Sequence, residues 1–154
     1  MNQRIENIKK LRLFVLKQIE GLAIEQLNKV PDGFNNNIIW NAGHMLSAMQ
    51  AICYRRADLT PVISDEYITP FLTNTKPTEE VEIGKINAIK QLLVSTVDTL
   101  QNDYRKNIFS NYTPSPNILN VYGISLNTID DAIDFLLYHE GYHIGSILSI
   151  KKFV

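Results

Sequence analysis

Apolar residues in this chain return every three or four positions in separate stretches, and no comparable run alternates. That period belongs to a helix with one buried face, whereas a half-buried strand needs a period of two. The first stretch carries Ile5, Ile8, Leu11, Val15, Ile19 and Leu22. A second carries Ile38, Ala42, Met45, Met49 and Ile52, with Asn36, between Asn35 and Asn37, as its N-cap. In the third, Pro77-Thr78-Glu79-Glu80 reads as a capping threonine followed by acids at the dipole's positive end. Ile86, Ile89, Leu93, Val97, Leu100 and Tyr104 follow as its apolar stripe. The fourth starts near Asn127, with Asp130 at its third position, and carries Ile129, Ile133, Leu136, Ile144 and Ile147. The chain is predicted to be all-α.

The breaks between stretches set the topology. Pro31-Asp32-Gly33 lies in a short turn region, so the first two helices are expected to be antiparallel neighbours. The segments from about Ala57 to Pro77 and from about Lys106 to Leu126 contain Pro61, Pro70, Pro114, Pro116 and Gly123. Each is long enough to cross a helical domain, and loops of that length serve as crossovers or lids. No repeat or interdomain linker interrupts residues 1–154, so one domain is expected.

Composition excludes several roles. A net charge of −1 and the scattered pairs Lys9-Lys10, Arg55-Arg56 and Lys151-Lys152 leave no basic footprint for nucleic acid or an anionic membrane. No apolar run reaches the roughly 20 residues of a membrane span. The first ten residues lack the apolar segment of a secretory signal. Cys53, the single cysteine, permits no internal disulfide and fits a reducing compartment. A cytoplasmic protein is expected.

All three histidines fall on two helices. His139 and His143 stand at i and i+4, on one face, so both can reach one ion at bonds of about 2.0–2.1 Å. His44 lies beside the stripe of the second helix. Three imidazoles near a core each need a partner once desolvated, and one divalent metal satisfies all three. Glu140 makes the segment His-Glu-x-x-His, which invites a zinc-peptidase reading. Residues 144–154 hold no Asp, Glu or His, so a third ligand must come from upstream, against that pattern. Glu140-x-x-His143 also matches half of a dinuclear carboxylate site, but position 41 is Asn and the second half is missing. Cys53 lies about 13.5 Å along the helix from His44, too far to share the ion, and reads as a buried, inert thiol. A mononuclear site of His44, His139 and His143, with positions open to water or substrate, is the expectation.

Two patches resemble the DinB-like superfamily of metal-associated helical proteins. One is Asn37-Ile38-Ile39-Trp40-Asn41-Ala42-Gly43-His44, similar to Asn-x-Ile-x-Trp-x-x-Gly-His with Trp40 one position early. The other is Leu137-Tyr138-His139-Glu140-Gly141-Tyr142-His143-Ile144-Gly145, similar to His-Glu-x-x-His-x-Gly. Gly123 matches a recurrent glycine ahead of the last helix. Many members continue with Gln after that second glycine, whereas Ser146 stands here, which is expected to alter hydrogen bonding around the site.

The resemblance implies a four-helix bundle in up-down-down-up order with long crossover loops. It implies ligand roles for His44, His139 and His143 toward nickel, zinc or a similar divalent metal. It also implies a low-molecular-weight thiol as cosubstrate, as in thiol-dependent transferases. The activity expected is S-transfer to a small electrophile or metal-assisted hydrolysis, with a non-catalytic metal- or small-ligand-binding module as the competing class. Glu140 is expected to support the ligands or act as general base. The apolar C-terminus, Ile147, Leu148, Ile150, Phe153 and Val154, suggests a homodimer.

Overall fold

The computed structural model describes residues 2–154, and among them every regular element is helical. Four long helices share the core: α1 (Gln3–Ile19), α3 (Ile38–Met49), α4 (Ile83–Arg105) and α6 (Ile129–Ile150). Two short ones, α2 (Ile24–Asn28) and α5 (Pro116–Tyr122), lie in the connections.

α1 packs against α4 and α6, and α3 packs against the same two. α1 and α3 therefore face each other across the centre, where Arg12 donates to the Met45 carbonyl at 2.9 Å. The expectation that the two are neighbours fails because the connection holds α2 and is long enough to cross the diagonal. α3 is buried at every residue from Ile38 to Met49, not along one stripe. A helix that is apolar on most faces belongs in the middle. It then continues through a π-helical turn, Gln50–Tyr54, and a 3₁₀ turn, Arg55–Ala57.

Caps moved by one or more positions for local reasons. α3 is capped by Asn37, whose Oδ1 accepts the Trp40 N–H at 2.8 Å, rather than by Asn36. α6 is capped by Thr128, reciprocally with Asp131, rather than by Asn127 and Asp130. α4 begins at Ile83, beyond Thr78. The Asn28 side chain holds both the N–H and the carbonyl of Val81, at 2.8 and 3.0 Å, and keeps that backbone out of the helix. Gly123 ends α5 at φ +68°, the left-handed conformation that suits a glycine C-cap.

The core divides into two apolar clusters. One gathers Ile8, Met49, Val97, Leu100 and Leu136, and the other Val15, Met45, Leu93 and Ile147. Between them lies a polar layer, Arg12 with Glu140, both fully buried and paired at 2.8 Å. The guanidinium places all five N–H groups: two on Glu140, two on the Leu93 and Met45 carbonyls, and one on Thr96 Oγ1. Full satisfaction is what makes a buried cation tolerable. No described helix is long and apolar enough to cross a membrane. Ile147 and Ile150 of the C-terminus are spent in the core, and Phe153 packs on Phe34 with centroids 5.8 Å apart.

Candidate metal centre

His44 from α3 and His139 and His143 from α6 converge, and one ring nitrogen of each lies within 4.8 Å of the others. Around a tetrahedral ion with bonds of about 2.0–2.1 Å, ligand nitrogens stand about 3.4 Å apart. The rings need to close by no more than about 1.4 Å. All three are buried, at 6%, 9% and 5% exposure.

The neighbours fix which nitrogens are free. His44 Nδ1 donates to the Phe71 carbonyl at 2.7 Å. The 3₁₀ turn Thr69–Phe71, in the connection after α3, delivers that carbonyl. His143 Nδ1 donates to Asn41 Oδ1 at 2.8 Å. The Asn41 amide orientation follows from its nitrogen, which donates to Asn36 Oδ1 and the Asn37 carbonyl. With Nδ1 carrying the proton in both rings, each Nε2 keeps a free lone pair. Trp40 stacks flat on His44, with centroids 4.9 Å apart and planes 9° apart, and anchors through Nε1 to Thr75. His139 is different: its Nδ1 is buried without a hydrogen-bond partner. Such an orphan is costly unless something else occupies its lone pair.

Desolvation keeps the three imidazoles neutral. It lowers His44, against the Phe71 carbonyl, and takes His139 down to about 2, with help from His143, His44 and Arg12. His143 falls to about 3 by burial and the nearby His44. Neutral imidazole is the ligating form, and three of them suit zinc, nickel, copper or iron. The donor set and the orphaned His139 Nδ1 thus fit a divalent metal.

The rings open onto a cavity of about 700 Å³ between α3, α5 and α6. Glu140 is not part of its wall. Its carboxylate turns to Arg12, where burial pushes its pKa up against the pull of the guanidinium. Ser146 donates to the Tyr142 carbonyl of its own helix at 3.2 Å, so its hydroxyl is not what holds the site, and Asn41 holds His143 instead. Cys53 lies fully buried in the core, its thiol pushed up to about 12 by desolvation.

The family model of the DinB superfamily matches residues 14–147. The chain belongs to the DinB superfamily. That match spans His44, His139 and His143 as well as the supporting Trp40 and Asn41. No curated protein matches the chain. Sequence reading missed Arg12, Asn41 and the Phe71 carbonyl. The first two carried a signal: a charge inside the apolar stripe of α1, and a polar side chain one turn before His44 on a helix otherwise apolar.

Proposed function

We propose that this chain is a divalent-metal-dependent enzyme with a mononuclear site of His44, His139 and His143. The observation that carries the proposal is the convergence of three neutral, buried imidazoles on an open cavity, with no fourth protein ligand among the described residues. A closed structural site uses four protein ligands, and an open one is the catalytic form. Membership of a metal-associated superfamily supports the same reading. The fold proposed to carry the site is an up-down-down-up bundle. Arg4 meeting Asp130 and Asp134 while Arg12 meets Glu140 supports α1 and α6 running together. Asn2 meeting Gln101 and Lys9 meeting Asp98 support α4 running against α1.

The favoured reaction is thiol S-transfer to a small electrophile, with metal-assisted hydrolysis as its close relative. A divalent ion, when bound, lowers the pKa of a thiol or water and so supplies the nucleophile at neutral pH. The protein's own groups do the rest. The Phe71 carbonyl and Asn41 hold two imidazoles in one tautomer, and Trp40 fixes the plane of His44. Tyr122 and Tyr142 line the cavity, and burial raises the Tyr122 phenol, so it stays a neutral donor. Glu140, spent on Arg12, is proposed as a positioning residue for α1 and α6 rather than a general base. The lone buried Cys53 supports a reducing compartment such as the cytoplasm.

A non-catalytic binding module is the competing reading, favoured by the absence of a carboxylate from the cavity wall among the described residues. A screen of nickel- and zinc-loaded protein with several low-molecular-weight thiols and electrophilic acceptors separates the two. Turnover lost in His139→Ala is expected. A broad panel, hydrolysis substrates included, with no metal-dependent turnover would favour the module.

A further inference from the structure

The wall of the cavity is unbalanced in charge. Arg55 and Arg56 both contribute to it, at the end where α3 passes through its π-helical and 3₁₀ turns, and no Asp or Glu does among the described residues. Neither guanidinium is consumed. Arg55 has one long contact, 3.4 Å to Asp65, whose carboxylate is 82% exposed and exchangeable with water. Arg56 uses only its Nε, on the Thr113 carbonyl at 2.9 Å, which leaves both terminal nitrogens as donors. A planar guanidinium with two free donors is shaped for a carboxylate or a phosphate. Eleven residues separate His44 from Arg55, which puts the two ends of the cavity on the order of 15 Å apart along the helix. Ile52, Phe135 and Tyr122 give the lining an apolar and aromatic wall, which Thr73, Asn74, Ser115 and Asn117 complete with neutral polar groups.

We propose that the cavity takes an elongated small molecule whose reactive end meets the three imidazoles and whose anionic end is held by Arg55 and Arg56. This rests on the reading of the cavity as a substrate site and names the chemistry it selects: a terminal oxyanion on an apolar body. Two guanidiniums on a wall that itself carries no acid, with only the exposed Asp65 beside Arg55, attract an anion before contact and then orient it, as focused positive charge does in other clefts. The two arginines sort substrates, while the histidines supply the chemistry.

The test is binding, read by calorimetry on metal-free protein so that no anion is held by an ion at the histidines. The probes are 4-phenylbutyrate, phenyl phosphate and the neutral 4-phenylbutyramide. Either or both anions are expected to bind at least tenfold more tightly than the amide, and added salt is expected to weaken them. The Arg55→Gln, Arg56→Gln double variant is expected to lose that preference while binding the amide as before. Arg56→Lys retains charge and is expected to keep part of it. The Thr113 N–H donates to the Arg56 carbonyl at 2.7 Å, so the backbone still ties the 106–126 segment when the side chain is changed. Equal affinity for anion and amide, or an unchanged preference in the double variant, overturns the proposal. Metal content of the wild type and the variants is read in parallel: a wild type that carries metal but shows no anion preference sinks this inference alone, whereas absence of metal in the wild type sinks the metal-site reading.

Discussion

At the scale of single residues, the geometry of the three imidazoles depends on neighbours that offer no ligand atom of their own. Gly43 is one. A Cβ there would stand 2.6 Å from two ring atoms of Phe71, so Gly43→Ala must displace that ring. The Phe71 carbonyl is the acceptor for His44 Nδ1, and its displacement frees the imidazole to turn. Gly43→Ala is expected to cost about 1–3 kcal/mol by overpacking and to weaken metal binding about tenfold or more. Competition with a chelating dye gives the affinity, and urea unfolding the stability; unchanged affinity would show that the carbonyl does not orient His44. Asn41→Ala removes the acceptor for His143 Nδ1 without changing a ligand. A loss of about 10–100-fold in metal affinity is expected. The clustering of the three histidines was legible in the sequence, because histidine spacing on a helix projects directly into geometry. The bonds that Asn41 and the Phe71 carbonyl make to them were not, since one spans 102 positions and the other uses a backbone carbonyl, to which side-chain identity is blind.

At the scale of elements, the apolar period gave four helices, and the errors lie where a side chain from elsewhere intervenes. α4 starts late because Asn28 captures Val81, and α2 and α5 escaped notice because five- and seven-residue helices hold too few turns for a stripe. In α1 the buried face runs Ile5, Ile8, Arg12, Val15, Ile19, with Arg12 in a place where periodicity alone favoured Leu11. The opposing Glu140 on α6 supplies the counter-charge that, with the Leu93 and Met45 carbonyls and Thr96, makes that acceptable. Arg12→Met leaves a buried carboxylate uncompensated and is expected to destabilise the protein by about 3–5 kcal/mol. The Arg12→Met, Glu140→Leu pair is expected to recover most of that loss, because two apolar residues satisfy each other where a lone charge cannot. Additive losses in chemical unfolding would mean that the two side chains are not coupled as the structure places them.

At the scale of the whole molecule, burying three imidazoles ties stability to pH. In metal-free protein the folded pKa values of His139, about 2, and His143, about 3, lie below the ordinary 6.5, and His44 is lowered as well. The unfolded chain therefore binds more protons below pH 6.5, so stability is complete above that value and falls as pH drops toward 3. Each imidazole contributes up to about 1.4 kcal/mol per pH unit in that window. Glu140, raised by burial, acts in the opposite sense and offsets part of the slope. Chelator-treated protein is expected to lose at least about 2 kcal/mol of unfolding free energy between pH 6.5 and 5, whereas a flat profile would mean that the rings reach water. A bound ion adds to the fold in the same way that protons subtract from it, since both compete for the same lone pairs. The central claim is that these three rings are one metal site, and metal content tests it most directly. Protein purified without an affinity tag, analysed by elemental mass spectrometry, is expected to carry about one divalent ion per chain. The His44→Ala, His143→Ala double variant is expected to carry none, with Cys53→Ser unchanged. Equal metal content in wild type and the double histidine variant would contradict the claim.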